Sequence, residues 1–447
     1  MPAYWVSKAK LASGWRHNVR IECDATGLIE RVTPDGAKTG AECFDGACLP
    51  APSNVHSHAF QRAMAGLAEL SNGGRDDFWS WRERMYAFLA RLDPDDLKAI
   101  AAQAYVEMLK GGYGAVAEFH YIHRTPEGGW YDDKAACALS IAEGAATAGL
   151  DIVFAPCVYL TAGFDGAPLQ PQQKRFQAGP EDIADIRTAL ERSGVRTALA
   201  LHSLRAVPAD RIGEALSASP AGPVHMHVAE QIGEVEACMA ATGRRPVERL
   251  SDLANVDSRW CLVHATHMTA EETRMVSQSG AVAGLCPSTE GNLGDGFFDF
   301  PGLEAHSGAF GIGTDSHVTL DAGEELRWLD YGWRLRQQRR FAEGRAGHRG
   351  ADLWMRAVAG GARALGETQF GLEPGARANF LILDCDHPSL AGREGDTLID
   401  SLVFCRHSDS PIRTVISKGV AVVREGRHAA EDQVAQAYRQ TMRKLVA

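Results

Sequence analysis

A chain of 447 residues, 45% hydrophobic and 23% charged, has room for one large domain and a smaller one. The formal net charge of -11, the pI of about 5.8 and the lack of a basic stripe argue against nucleic acid as a partner. No apolar run is long enough to span a bilayer, the first residues carry no apolar signal core, and ten cysteines without paired spacing suit a reducing compartment, so a cytoplasmic protein is expected. Taken in order, residues 1–49 hold short apolar segments broken by Gly, Pro and Asp, such as 19–23 and 29–32, which read as strands of a small sheet. From Leu49 onward the pattern changes to short apolar strands alternating with amphipathic stretches. Strands are predicted at 115–120, 152–159, 197–201, 224–228, 260–264, 281–286 and 310–313, with one more before His56.

The helices between them have recognisable ends. Asp93-Pro94 opens one, Leu97, Ile100, Ala101, Ala104, Tyr105, Met108 and Leu109 give it an apolar stripe, and Gly111 closes it. Others are predicted near 131–148, 180–193, 208–218, 233–242, 270–279, 322–341 and 351–365. Eight strands alternating with helices make an α/β chain folded as a (β/α)8 TIM barrel over residues 50–369. Short strand-like pieces return at 379–383, 402–405, 414–416 and 420–423. Residues 1–49 and 370–430 are therefore expected to form one small β-sandwich-like domain from both termini, with 431–447 as a closing helix.

Chemistry gathers at the predicted strand ends. His56-Ser57-His58 puts two imidazoles on one side of an extended backbone, a grip for a divalent metal. The second strand ends at Glu118-Phe119-His120-Tyr121, the fourth at His202-Ser203-Leu204-Arg205 and the fifth at His225-Met226-His227 with Glu230 beyond. The sixth ends at His264 and the eighth at Thr314-Asp315. A lone strand-end His is more often structural than a ligand. With only 16 histidines in the chain, their recurrence at strand ends that also supply Asp and Glu reverses that reading. Three imidazoles and a carboxylate suit a hydrolytic Zn2+, and imidazole also accepts Fe2+. A bound divalent ion lowers the pKa of its water from about 15.7 to near 7 and so makes hydroxide available at neutral pH.

The set His-x-His, a fifth-strand His, a sixth-strand His and an eighth-strand Asp resembles the amidohydrolase superfamily. The wording of residues 56–69, 79–83, 117–121, 227–231 and 286–296 is similar to one of its families, the formimidoylglutamate deiminases of histidine degradation. Ser288 and Gly291 depart mildly from that family's usual Thr and Ala. The resemblance implies His56, His58, His227 and Asp315 as metal ligands. His227 is preferred over His225 because Glu230 completes a His-x-x-Glu motif, and His225 is expected to make a structural hydrogen bond. The fourth strand lacks the Lys of binuclear relatives, so one metal per subunit is expected. Glu230, His264 and Asp315 are the implied catalytic residues, and Gln61, Arg82, Tyr121, His202 and Arg205 the implied substrate contacts. Guanidinium forks suit a small dicarboxylate substrate, and the implied reaction is hydrolytic deimination of N-formimino-L-glutamate. The resemblance also implies a homodimer. A deaminase or chlorohydrolase acting on a heterocycle would share every metal residue, and a non-catalytic barrel is a third reading. The glycine-bearing stretch 287–298 is expected to be a mobile loop over the site.

Overall fold

The structure, a computed structural model, describes residues 2–70, 73, 78–341, 346–405 and 409–446. Its larger part is a closed barrel of parallel strands. They run Ser53–Ser57, Ala115–His120, Asp151–Val158, a fourth position split into Arg196–Thr197 and Leu199–Leu201, then Val224–Val228, Trp260–His264, Val282–Leu285 and Ala309–Ile312. The eighth strand pairs with the first, Ile312 opposite Asn54, and closes the ring. Buried on both faces, these strands read as apolar runs rather than alternating ones.

Local signals set the helices around the ring. The Asp93 side chain accepts from the Asp96 amide at 2.9 Å and Asp96 returns the bond to the Asp93 amide at 3.2 Å, a reciprocal cap on Pro94–Lys110. The helix ends at Gly111, where no larger residue fits, since a Cβ there would lie 1.8 Å from the Leu320 carbonyl oxygen. One helix, Arg349–Ala364, crosses the N-terminal end of the barrel. Gly360 lies against Phe310 of the eighth strand and Gly361 against Ser53 of the first. Trp354 Nε1 donates to the Pro50 carbonyl at 2.9 Å, and His225 Nε2 is 2.9 Å from the Ala364 carbonyl on the far side of the ring. His225 therefore has the structural hydrogen bond expected of it, one layer below His227.

Both chain ends build the second sheet. Strand Glu42–Pro50 lies parallel to Ala3–Leu11 on one side and antiparallel to Phe380–Leu383 on the other. Gly14–Cys23 and Ile29–Thr33 extend one edge; Ile412–Ser417, Val420–Arg424 and Arg427–His428 extend the other. Asp151, at the start of the third barrel strand, meets Arg196 Nη2 at 3.1 Å, Arg377 Nε at 2.9 Å and Asn379 Nδ2 at 3.1 Å. The last helix, Glu431–Val446, is tied to Pro94–Lys110 by Lys444 on Asp93 and Asp96 and by Lys110 on Glu431. Two expectations change. Residues 402–404 are not a strand but the last turn of helix Asp396–Phe404, whose Leu398, Ile399, Leu402 and Val403 are buried at helical spacing. The helix expected from 131 begins at Ala136.

Candidate metal centre and its cleft

The first and eighth strands are laced together where they end. The Thr314 and Asp315 amides both donate to the His56 carbonyl at 3.0 Å, which brings the Asp315 side chain to the two histidines of the first strand. Asp315 Oδ1 lies 3.3 Å from His56 Nε2 and 3.3 Å from His58 Nε2. His56 Nε2 is 3.2 Å from His58 Nε2 and 3.1 Å from His227 Nε2. All four side chains are buried. His58 Nδ1 donates to the Phe119 carbonyl at 2.7 Å and His227 Nδ1 to the His202 carbonyl at 2.8 Å. With the proton on Nδ1, each Nε2 presents a lone pair to the same point. Such a convergence is repulsive unless a cation sits within it. Ligand atoms bound tetrahedrally at about 2.0–2.1 Å would stand about 3.3 Å apart, which the spacing here matches. Burial first, and then the neighbouring imidazoles, hold His56 and His227 well below the usual histidine range, and burial takes His58 down to about 3. Neutral imidazoles are the form that binds a metal.

His264 stands beside this set and in different company. Its Nε2 is 3.7 Å from Glu230 Oε1 and 4.0 Å from Asp315 Oδ2, and its Nδ1 is 3.3 Å from Glu290 Oε1. Burial alone would depress this imidazole, but Glu230, Glu290 and Asp315 outweigh it and raise it to about 10. Burial raises the Asp315 carboxyl to about 7, with His264 opposing the rise. Ala229, His264, Ala265, Asp315 and His317 all adopt left-handed backbone angles, a cost of about 1–3 kcal/mol each that clusters at sites with a task.

A cleft opens above the centre. Helix Phe78–Leu89 forms one wall with Phe78, Trp81, Arg82, Met85 and Tyr86; Tyr121, Tyr159, Phe176, His202 and Arg205 form the rest. Gln61 Nε2 donates to the Tyr121 hydroxyl at 3.0 Å, leaving its buried Oε1 without a partner among the described residues. The Arg82 guanidinium lies 4.5 Å from the Trp79 ring and that of Arg205 6.0 Å from the same ring. No carboxylate within ion-pair distance of either arginine is found among the described residues, and both Nε atoms are buried without a partner. Every residue expected at the site from the sequence thus borders this cleft or the cluster at its floor, with His56 beneath. Tyr86, Tyr159, Phe176 and Glu290 were not foreseen. Of the stretch 287–298 expected as a mobile loop, the first part is instead helix Pro287–Leu293, with Pro287 in its first turn and Gly294 closing it at φ 71°, while 295–298 have no regular structure; the helix turns Leu293 into the cleft and Glu290 toward His264.

Comparison with known proteins agrees with this geometry. The model of the amidohydrolase family matches residues 48–422. Over 453 residues the chain is 46% identical to a formimidoylglutamate deiminase of Pseudomonas aeruginosa, with 100% of each chain covered. Its fold is similar to that of an amidohydrolase from Brucella melitensis, at a TM-score of 0.94 and 40% identity over 100% of both chains. It is also similar in fold to an adenosine deaminase from Xanthomonas campestris with bound zinc, at a TM-score of 0.79 and 19% identity over 99% of this chain and 98% of that one.

Proposed function

The chain belongs to the amidohydrolase family, and on that footing we propose that it hydrolyses N-formimino-L-glutamate to N-formyl-L-glutamate and ammonia, a step of histidine degradation. The observation that carries this reading is the pair Arg82 and Arg205, cations without carboxylate partners among the described residues, in a cleft whose floor is a ligand cluster for a hydrolytic metal. In an acidic protein, two such groups in one cleft suit a dianion.

His56, His58, His227 and Asp315 would hold one divalent ion per subunit, most suitably Zn2+, with Fe2+ also compatible with imidazole ligands. When bound, the ion acidifies a water and polarises the atom it contacts. Arg82, Arg205, His202, Tyr121 and Gln61 orient the substrate by its two carboxylates, with the formimino carbon toward the floor. Asp315 takes a proton from the attacking water. His264 Nε2 donates to the oxygen that becomes the formyl group and stabilises charge there. Glu230 carries a proton to the terminal nitrogen, because ammonia leaves far more easily than an amide anion. The oxygen of water ends on the formimino carbon, the bond to the terminal nitrogen breaks, and the water protons leave with ammonia.

Ammonia release should be fastest with N-formimino-L-glutamate among that compound, N-formimino-L-aspartate, guanine and cytosine; equal or faster release from a nucleobase sinks the specificity reading. Aromatic walls at Trp81, Tyr86, Tyr121, Tyr159 and Phe176 favour deamination of a heterocycle as the second reading. It predicts that Arg205→Met leaves KM for the preferred substrate nearly unchanged. The proposal includes a homodimer, tested by light scattering on the purified protein. It also includes a cytoplasmic location, supported by ten unpaired cysteines.

A further inference from the structure

Glu290 lies one turn into helix Pro287–Leu293, and is buried. Its Oε1 accepts from the Cys286 backbone amide at 2.9 Å, so the carboxylate is held by the end of the seventh strand, and the same oxygen receives His264 Nδ1 at 3.3 Å. The far side of that imidazole faces Glu230 from the segment after the fifth strand and Asp315 from the segment after the eighth. The His227 ring stacks on it at 5.6 Å between centroids, and the His56 ring crosses it at 5.9 Å. Ring contacts of this kind do not distinguish a ring nitrogen from a ring carbon, so they leave the two flipped orientations of His264 undecided. Only bonds in the ring plane choose between presenting Nε2 or a carbon to the cleft, and among the described residues the one such bond below 3.5 Å is to Glu290. A neutral Gln would satisfy the Cys286 amide equally well.

We propose that Glu290 is a positioning residue for the hydrolysis: it holds His264 with a proton on Nδ1 and aims Nε2–H at the oxygen forming on the substrate carbon. This inference rests on the function proposed above. The test compares wild type, Glu290→Gln and Glu290→Leu as metal-loaded enzymes, reading kcat, KM, the pH profile of kcat, metal content and Tm. Glu290→Gln keeps the acceptor but not the charge. It should retain metal and KM within about threefold, lower kcat about tenfold and shift the pH profile; Glu290→Leu should lower kcat about 1,000-fold at unchanged KM. A folded, metal-loaded Glu290→Leu with wild-type kcat overturns the proposal. If that variant does not fold, a Glu290→Gln enzyme with wild-type kcat and pH profile overturns it. The Nδ1–H resonance in protein labelled with 15N-histidine gives a readout independent of substrate. It should be absent from His264→Asn and shifted in Glu290→Gln, and an unshifted signal overturns the proposal. Wild type that shows the resonance but releases no ammonia from N-formimino-L-glutamate would refute the substrate assignment and leave the pair standing.

Discussion

Arg205 is 9% exposed and has Trp79 and Tyr159 for company; the buried Glu234 feels its charge, but no carboxylate among the described residues forms an ion pair with it. A guanidinium in that setting is held ready for an anion that arrives from outside. Arg205→Met should therefore raise KM for N-formimino-L-glutamate about 50-fold and leave kcat within about threefold, the effect of losing roughly 2–3 kcal/mol of charge-assisted hydrogen bonding; steady-state kinetics would show it. Deeper in the cleft the sensitivity moves from binding to assembly. Chelation should abolish activity and added Zn2+ restore it. In His227→Ala the metal measured by atomic emission should fall well below one per chain, because three remaining ligands leave the set incomplete. The convergence of the candidate ligands was legible residue by residue because a barrel gathers its strand ends, so His-x-His and His-x-x-Glu are local words with a shared destination. Tyr86 and Tyr159 were not legible. Each is an ordinary aromatic in its own segment, and only Gln173, whose Nε2 reaches both hydroxyls at 3.3 and 3.2 Å, shows that they work together.

Elements repeat the lesson on a larger scale. Barrel strands announce themselves as apolar runs because both faces are covered, whereas the same kind of run at 402–405 belongs to a helix end. Leu-Val-Phe carries no period long enough to distinguish the two, and the preceding Asp396–Ser401 decides it. Gly291, Gly294 and Gly296 made residues 287–298 look like a loop. Pro287 in the first turn and Gly294 at the C-cap are also the marks of a short helix, and burial of Pro287–Glu290 favours that outcome. The helix across the barrel floor offers a sharp test. A Cβ at Gly360 would lie 1.8 Å from the Phe310 carbonyl oxygen, and backbone cannot step aside there as a side-chain tip could. Gly360→Ala should lower stability by about 3 kcal/mol despite the better helix propensity of Ala, read as a shift in the urea midpoint.

At the scale of the whole molecule, the sheet from the two termini is joined to the barrel through Asp151. Burial alone would raise its carboxyl, but Arg196 and Arg377 outweigh burial and hold it below the usual 3.8. A folded value below the unfolded one means the stabilisation is complete above about pH 4 and is lost as the pH falls through the folded value. Asp151→Asn should lower stability by about 2 kcal/mol at neutral pH, with the gap to wild type closing as the solution is acidified; melting curves between neutral pH and pH 3 would follow it. The helix over the barrel floor has a further consequence, for traffic. Buried side chains fill the barrel below the candidate ligands, and Gly360 and Gly361 seat the helix against its N-terminal end, so substrate and products share the cleft at the other end. In the orientation proposed above, ammonia forms nearest the candidate metal ligands, underneath the N-formyl product that carries the two carboxylates. The larger product should depart first and the smaller one last. Ammonium would then inhibit competitively with respect to substrate and N-formyl-L-glutamate noncompetitively, so the order of a queue becomes readable in inhibition patterns.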